Sequence, residues 1–140
     1  MPVSDFVMSE IDLLKRSNFE WIDIKNNGAC YMASGFEAWG CVVFKNGDWV
    51  AVGGHKSQPA HPLARGDKQI CLAAADDWLN SHETESAAHK TRGWLNQSPT
   101  DKQMQYLPDY QHDYSLTRYK ASVLMTAKFN RTAILKAVRT

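Results

Sequence analysis

Trp39-Gly40-Cys41-Val42-Val43-Phe44-Lys45-Asn46-Gly47-Asp48-Trp49-Val50-Ala51-Val52 decides the fold. Two apolar, β-rich runs flank an Asn-Gly pair. A type I′ turn needs positive φ at both central residues, which Asn and Gly tolerate, and its twist suits an antiparallel pair. The first run is apolar on both faces. One face therefore lies under a helix and the other is partly covered.

Working upstream, Cys30-Tyr31-Met32-Ala33 reads as a weaker strand and Asn26-Asn27-Gly28 as a tight turn. Phe19 to Ile24 alternates, with Phe19, Trp21 and Asp23 on one side and Glu20, Ile22 and Ile24 on the other. A short helix is expected over residues 7–17, with Ser9 as N-cap and Ile11 and Leu14 inward. Downstream, Gly53-Gly54 is expected to end the sheet. His55 to Gly66, punctuated by Pro59 and Pro62, reads as a loop. A helix from about Asp67 to Asn80 carries Cys71, Ala74, Ala75, Trp78 and Leu79 on one stripe, with Gln69, Asp76 and Asp77 facing away.

The chain changes character beyond Ser81. Thr84 starts a helix to about Asn96. Thr100 and Gln103 have the spacing of a capping box for another, which Pro108 stops. Thr117 caps a helix to about Phe129 with Leu116, Tyr119, Val123 and Ala127 on one side, and Asn130 is placed to cap a last helix. The resulting expectation is an α+β fold: a helix, a three- to four-stranded antiparallel sheet and a packed helix over residues 1–80, then a helical extension over residues 81–140. That order is shared with double-stranded RNA-binding domains, a topological likeness only. Lys56, Arg65 and Lys68 lie near the start of the second helix, where such domains are basic, but without a dense lysine run.

A hydrophobic content of 44%, with 11% aromatic residues, supports a packed core and excludes general disorder. No run of about eighteen apolar residues is present, so no membrane span is expected. The start, Met1-Pro2-Val3-Ser4-Asp5, is unlike a signal peptide, which points to the cytoplasm. Cys30, Cys41 and Cys71 are odd in number and lack a CxxC spacing, so reduced thiols are expected.

Charge is unevenly distributed. Ser115–Thr140 holds Arg118, Lys120, Lys128, Arg131, Lys136 and Arg139 and no acid, whereas the first 114 residues hold ten Lys and Arg against fifteen Asp and Glu. A cationic block of this kind fits a polyanion such as nucleic acid; equally, it fits the solvated side of surface helices. On a helical wheel Lys136 and Arg139 share a polar side, Arg118 points outward, and Lys120 falls in the apolar arc, so there is no single stripe. Trp21, Tyr31, Phe36, Trp39 and Trp49 in the sheet region suit a core or a stacking platform. Tyr106, Tyr110, Tyr114 and Tyr119 surround the loop before the basic helix, where an exposed ring would suit a single strand.

Other chemistries find little support. His55, His61, Cys41 and Cys71 match no compact zinc spacing, so no metal is expected. No phosphate-binding Gly-rich loop, GxSxG or HExxH occurs, and no carboxylate pair is forced together, so neither catalysis nor a cofactor is expected.

The stretch Glu83-Thr84-Glu85-Ser86-Ala87-Ala88-His89-Lys90-Thr91-Arg92-Gly93-Trp94-Leu95, then Pro99-Thr100-Asp101-Lys102-Gln103 and Leu116-Thr117-Arg118-Tyr119-Lys120-Ala121-Ser122, resembles the C-terminal accessory region of DEAD/DEAH-type helicases of phages and mobile elements. The likeness covers roughly residues 20–140. It implies a nucleic-acid-associated accessory module and not a helicase, since 140 residues without a P-loop hold no motor. The sequence reading is thus a small non-catalytic protein that grips DNA or RNA backbone through Arg118, Lys120, Lys128, Arg131, Lys136 and Arg139, with Tyr119 beside them and Lys56, Arg65 and Lys68 as a second patch. The alternative is an inhibitor or adaptor docking on a replication or defence protein through the acids Asp76, Asp77, Glu83 and Glu85.

Overall fold

The computed structural model describes residues 13–25, 27–55, 58–84, 89 and 93–139. Asn46 and Gly47 take φ values of 54° and 87°, the left-handed pair a type I′ turn demands. They join β3 (Ala38–Lys45) to β4 (Asp48–His55) in register from Ala38↔His55 to Lys45↔Asp48. With β1 (Ile22–Asp23), β2 (Cys30–Ser34) and β5 (His61–Gly66), these strands form one antiparallel meander in sequential order.

The fold is α+β, with five strands where the sequence suggests three or four. The extra strand is β5, in the segment read as a loop. Pro62 lacks an N–H, but β5 is an edge strand with a register shift against Ala51 and Val52, where a missing donor is tolerated. Gly53 and Gly54 continue β4 rather than end it. A Cβ on Gly53 would lie 2.6 Å from the Trp78 indole, and one on Gly54 2.3 Å from the Trp39 ring. Glycine is needed there so that two indoles can lie flat on the strand, and the Trp78 Nε1 donates to Gly54 O at 3.3 Å.

Alternation along the strands gives the sheet two apolar faces. Ala33, Val42 and Ala51 face one way, with Phe19 and Trp21 beside them. They are covered by Cys71, Leu72, Ala75 and Leu79 of α1 (Lys68–His82). Asp67 caps α1, its Oδ1 accepting from Gln69 N at 2.9 Å. Asp76 does not simply face solvent. It accepts hydrogen bonds from Ser17 Oγ and from Trp21 Nε1, the latter at 3.2 Å, and so ties α1 to the entry of the sheet.

Cys30, Met32, Trp39, Cys41, Val50 and Val52 face the other way. After 3-10 turns at Gly93–Asn96 and Pro108–Tyr110, and the short α2 (Asp101–Tyr106), two helices close over this face. They are α3 (Arg118–Phe129) and α4 (Arg131–Arg139). Tyr119, Val123, Ala137 and Val138 share one buried cluster with the strand residues, so α3 and α4 pack on the sheet face opposite α1. Burying a large apolar side chain of this kind contributes about 1.5–3 kcal/mol.

Caps at Thr100 and Thr117 occur as their sequence predicts, and Thr100–Gln103 is a full capping box. Residues 13–16 form a helical turn, whereas residues 7–12 of the first expected helix, with the cap at Ser9, lie outside the described residues; of the helix expected over residues 84–96, Thr84 is not helical, His89 sits in a bend, Gly93–Asn96 is a 3-10 turn and the others lie outside the described residues. Among the described residues no helix is long and apolar enough to cross a membrane.

Candidate nucleic-acid interface

The abrupt junction of α3 with α4 creates the site. Asn130 closes α3: its backbone N–H and its Nδ2 both donate to Thr126 O, at 3.0 and 2.8 Å. Its side chain therefore serves the helix before it and not, as its sequence position suggests, the helix after it. Arg131 starts α4 at once. Ala127, Ile134 and Val138 then lean on the β1–β3 side of the sheet and leave a cleft of about 440 Å³. Its floor is apolar, with Cys30, Cys41 and Val43 from the strands. Its rim carries Lys25, Lys45, Lys128 and Arg131, and no carboxylate lines it. Four like charges around a low-dielectric floor focus a positive potential where a phosphate would enter.

The floor holds a thiol pair. Cys30 Sγ and Cys41 Sγ lie 3.7 Å apart. Their shared hydrogen bond, helped by the charge of Lys25, holds the Cys30 thiol below its usual range. The same bond and complete burial push Cys41 well above it.

The sequence-derived residues divide sharply. Lys128 and Arg131 meet at this rim, and Lys128 Nζ also donates to Tyr106 O at 2.8 Å. Lys136 and Arg139 are exposed on α4. Arg118 sits at the far end of α3, its Nε bonded to Ser98 O at 3.0 Å. Lys120 lines a separate pocket with Glu20 and Asn96. Two expectations need correcting. Tyr119 is 2% exposed, its hydroxyl donating to Glu20 O at 2.5 Å and accepting from Ser34 N at 3.2 Å, so its ring is core and cannot stack on a base. Lys68 is 7% exposed, its Nζ 4.7 and 4.8 Å above the rings of Tyr31 and Trp49. Arg65 is exposed on β5, and its Nη2 donates to Val138 O, at the C-terminal end of α4, at 2.6 Å. Lys56 lies outside the described residues.

Sequence reasoning missed Lys25 and Lys45. Both lie in the portion with net negative charge, and only the pairing of β1, β2 and β3 brings them together at the end of α3. Among the described residues no group of three or more His, Cys, Asp and Glu is placed to hold a metal ion. The side chains weighed for zinc are parted by the sheet: Cys41 lies on the α3–α4 side and Cys71 on the α1 side, while His55 and His61 pack around Trp78.

A family model described as the C-terminal domain of the mitochondrial helicase Irc3 matches residues 3–140. The chain belongs to this family. The Irc3 C-terminal-domain match spans the sheet as well as the helices over it, so the cationic cleft lies wholly within the family region. It also accords with the helicase accessory region that the sequence resembles. No curated protein and no solved structure gives a significant match.

Proposed function

We propose that this chain is a non-catalytic accessory module of the helicase-associated kind that holds nucleic acid by its phosphates. The observation carrying this reading is the cleft at the α3–α4 junction, rimmed by Lys25, Lys45, Lys128 and Arg131 and lined by no acid. Membership of a helicase C-terminal-domain family supports it. The motifs around Trp94-Leu95, Pro99-Thr100 and Leu116-Thr117 support the narrower reading of a phage or mobile-element type. The adaptor reading loses two of its acids to internal roles. Asp76 holds Ser17 and Trp21, and Glu83 Oε1 accepts from the backbone of Glu37 and Ala38 at 2.8 and 3.1 Å.

Fluorescence anisotropy of a labelled oligothymidylate, titrated with salt, tests the proposal. Four phosphate contacts give log K against log salt a slope of about −3 for a single strand. Failure of the protein to bind any single- or double-stranded DNA or RNA at low salt would overturn the reading.

A further inference from the structure

Beside the α3–α4 junction lies a second cavity, of about 450 Å³, lined by Phe36, Trp39, Ser122, Phe129 and Asn130 and, as its one acid, by the exposed Glu37. The four consecutive residues Lys128-Phe129-Asn130-Arg131 divide between the two hollows: Lys128 and Arg131 line the cleft, Phe129 and Asn130 the cavity. Cations and an aromatic-amide pair thus stand within one turn of chain.

The aromatic rings are unusually open. Phe36 is 46% and Phe129 59% exposed, and Tyr106, 40% exposed, meets Phe129 edge to face at 5.3 Å. Exposed rings grouped at one place mark a contact surface, whereas apolar side chains scattered singly do not. Phe36 is held in place by its loop, because Glu83 grips the next two backbone amides, Glu37 and Ala38. Polar groups are available beside the rings. Asn130 spends Nδ2 on Thr126 O, and its Oδ1 has no hydrogen-bond partner among the described residues. Ser122 Oγ has none there either. An amide oxygen and a hydroxyl next to stacking rings match the donors and acceptors on a base edge.

We propose that this cavity receives an unstacked nucleobase, with Phe129 and Phe36 as the stacking surface and Asn130 and Ser122 facing the base edge, so that the module prefers single-stranded nucleic acid to duplex. The inference rests on the phosphate-binding reading above. It adds a contact to bases, which a paired and stacked duplex does not offer.

The test compares four probes of equal length: oligothymidylate, oligouridylate, an abasic oligonucleotide with the same phosphates, and a duplex. Oligothymidylate is expected to bind about tenfold more tightly than the abasic strand, within the range of about fivefold to a hundredfold that stacking one base provides. Phe129→Ala should erase this preference and leave abasic binding unchanged, and Phe129→Trp should preserve it. Oligouridylate, which differs from thymidylate in both the 5-methyl group and the 2′-hydroxyl, should also bind more tightly than the abasic strand, because stacking uses the ring face that both bases share. Equal binding of thymidylate and abasic strands, or a preference that survives Phe129→Ala, overturns the base pocket while leaving phosphate binding intact. Absence of binding to all four probes overturns both. Phe129 is exposed, so its substitutions should leave the fold undisturbed.

Discussion

Replacing Lys25, Lys45, Lys128 and Arg131 together by glutamine is expected to abolish most salt-dependent affinity for single-stranded nucleic acid. Each removed contact takes about 0.7 from the slope of log K against log salt, so the slope should flatten by about three. Between about 50 and 200 mM salt, that slope corresponds to a loss of about fiftyfold in the parent protein that the variant no longer shows. All four side chains stand at the rim of an open cleft, and Lys25, Lys128 and Arg131 are exposed, so thermal stability should move little. Anisotropy titrations of the two proteins at several salt concentrations measure the difference. An unchanged slope would place the phosphate contacts elsewhere, on Arg118, Lys136 or Arg139.

The second large effect is structural and centres on Tyr119. Its hydroxyl bridges Glu20 O and Ser34 N, and its ring packs with Met32, Trp39 and Val123, so one side chain fastens α3 to two separate segments of the sheet layer. Tyr119→Phe keeps the ring but leaves the buried Ser34 N–H without its acceptor and releases Glu20 O, on an exposed residue, to water. The expected loss is about 1–3 kcal/mol, read by urea unfolding. Tyr119→Ala adds a cavity and should cost about 3–5 kcal/mol from the ring alone, a large share of the stability of a domain this size. The folded fraction of Tyr119→Phe should retain the parental salt slope. A slope that fell with Tyr119→Phe, without loss of stability, would return Tyr119 to the interface.

The contrast between Tyr119 and Lys25 shows what the sequence could reveal. Local chemistry was legible. Asn46-Gly47 specified a hairpin, Thr100 with Gln103 a capping box, and Asp67 and Thr117 helix starts. Each signal lies within a few residues, and the structure realises all of them. The double-sided apolar character of Trp39 to Phe44 also foretold cover on both faces. β5 was obscured because two prolines speak against a strand, and only its edge position makes Pro62 acceptable. Tyr119 fits two sequence expectations, an apolar-side residue and a stacking ring, because helical spacing shows which way a side chain points and not what waits there. The cationic rim was the least legible feature. Counting charge by segment assigned Lys25 and Lys45 to a body with net negative charge, whereas strand register places them opposite Lys128 and Arg131.

Backbone amide chemical-shift mapping during titration with an oligothymidylate tests the phosphate-binding site most directly. Shifts should gather at Lys25, Lys45 and the run Lys128 to Arg131, where two hollows meet at the joint between the last two helices. Shifts confined to the outer side of α1, or to the loop around Tyr114, would show that nucleic acid lies elsewhere on the molecule and that the cationic cleft does not hold it.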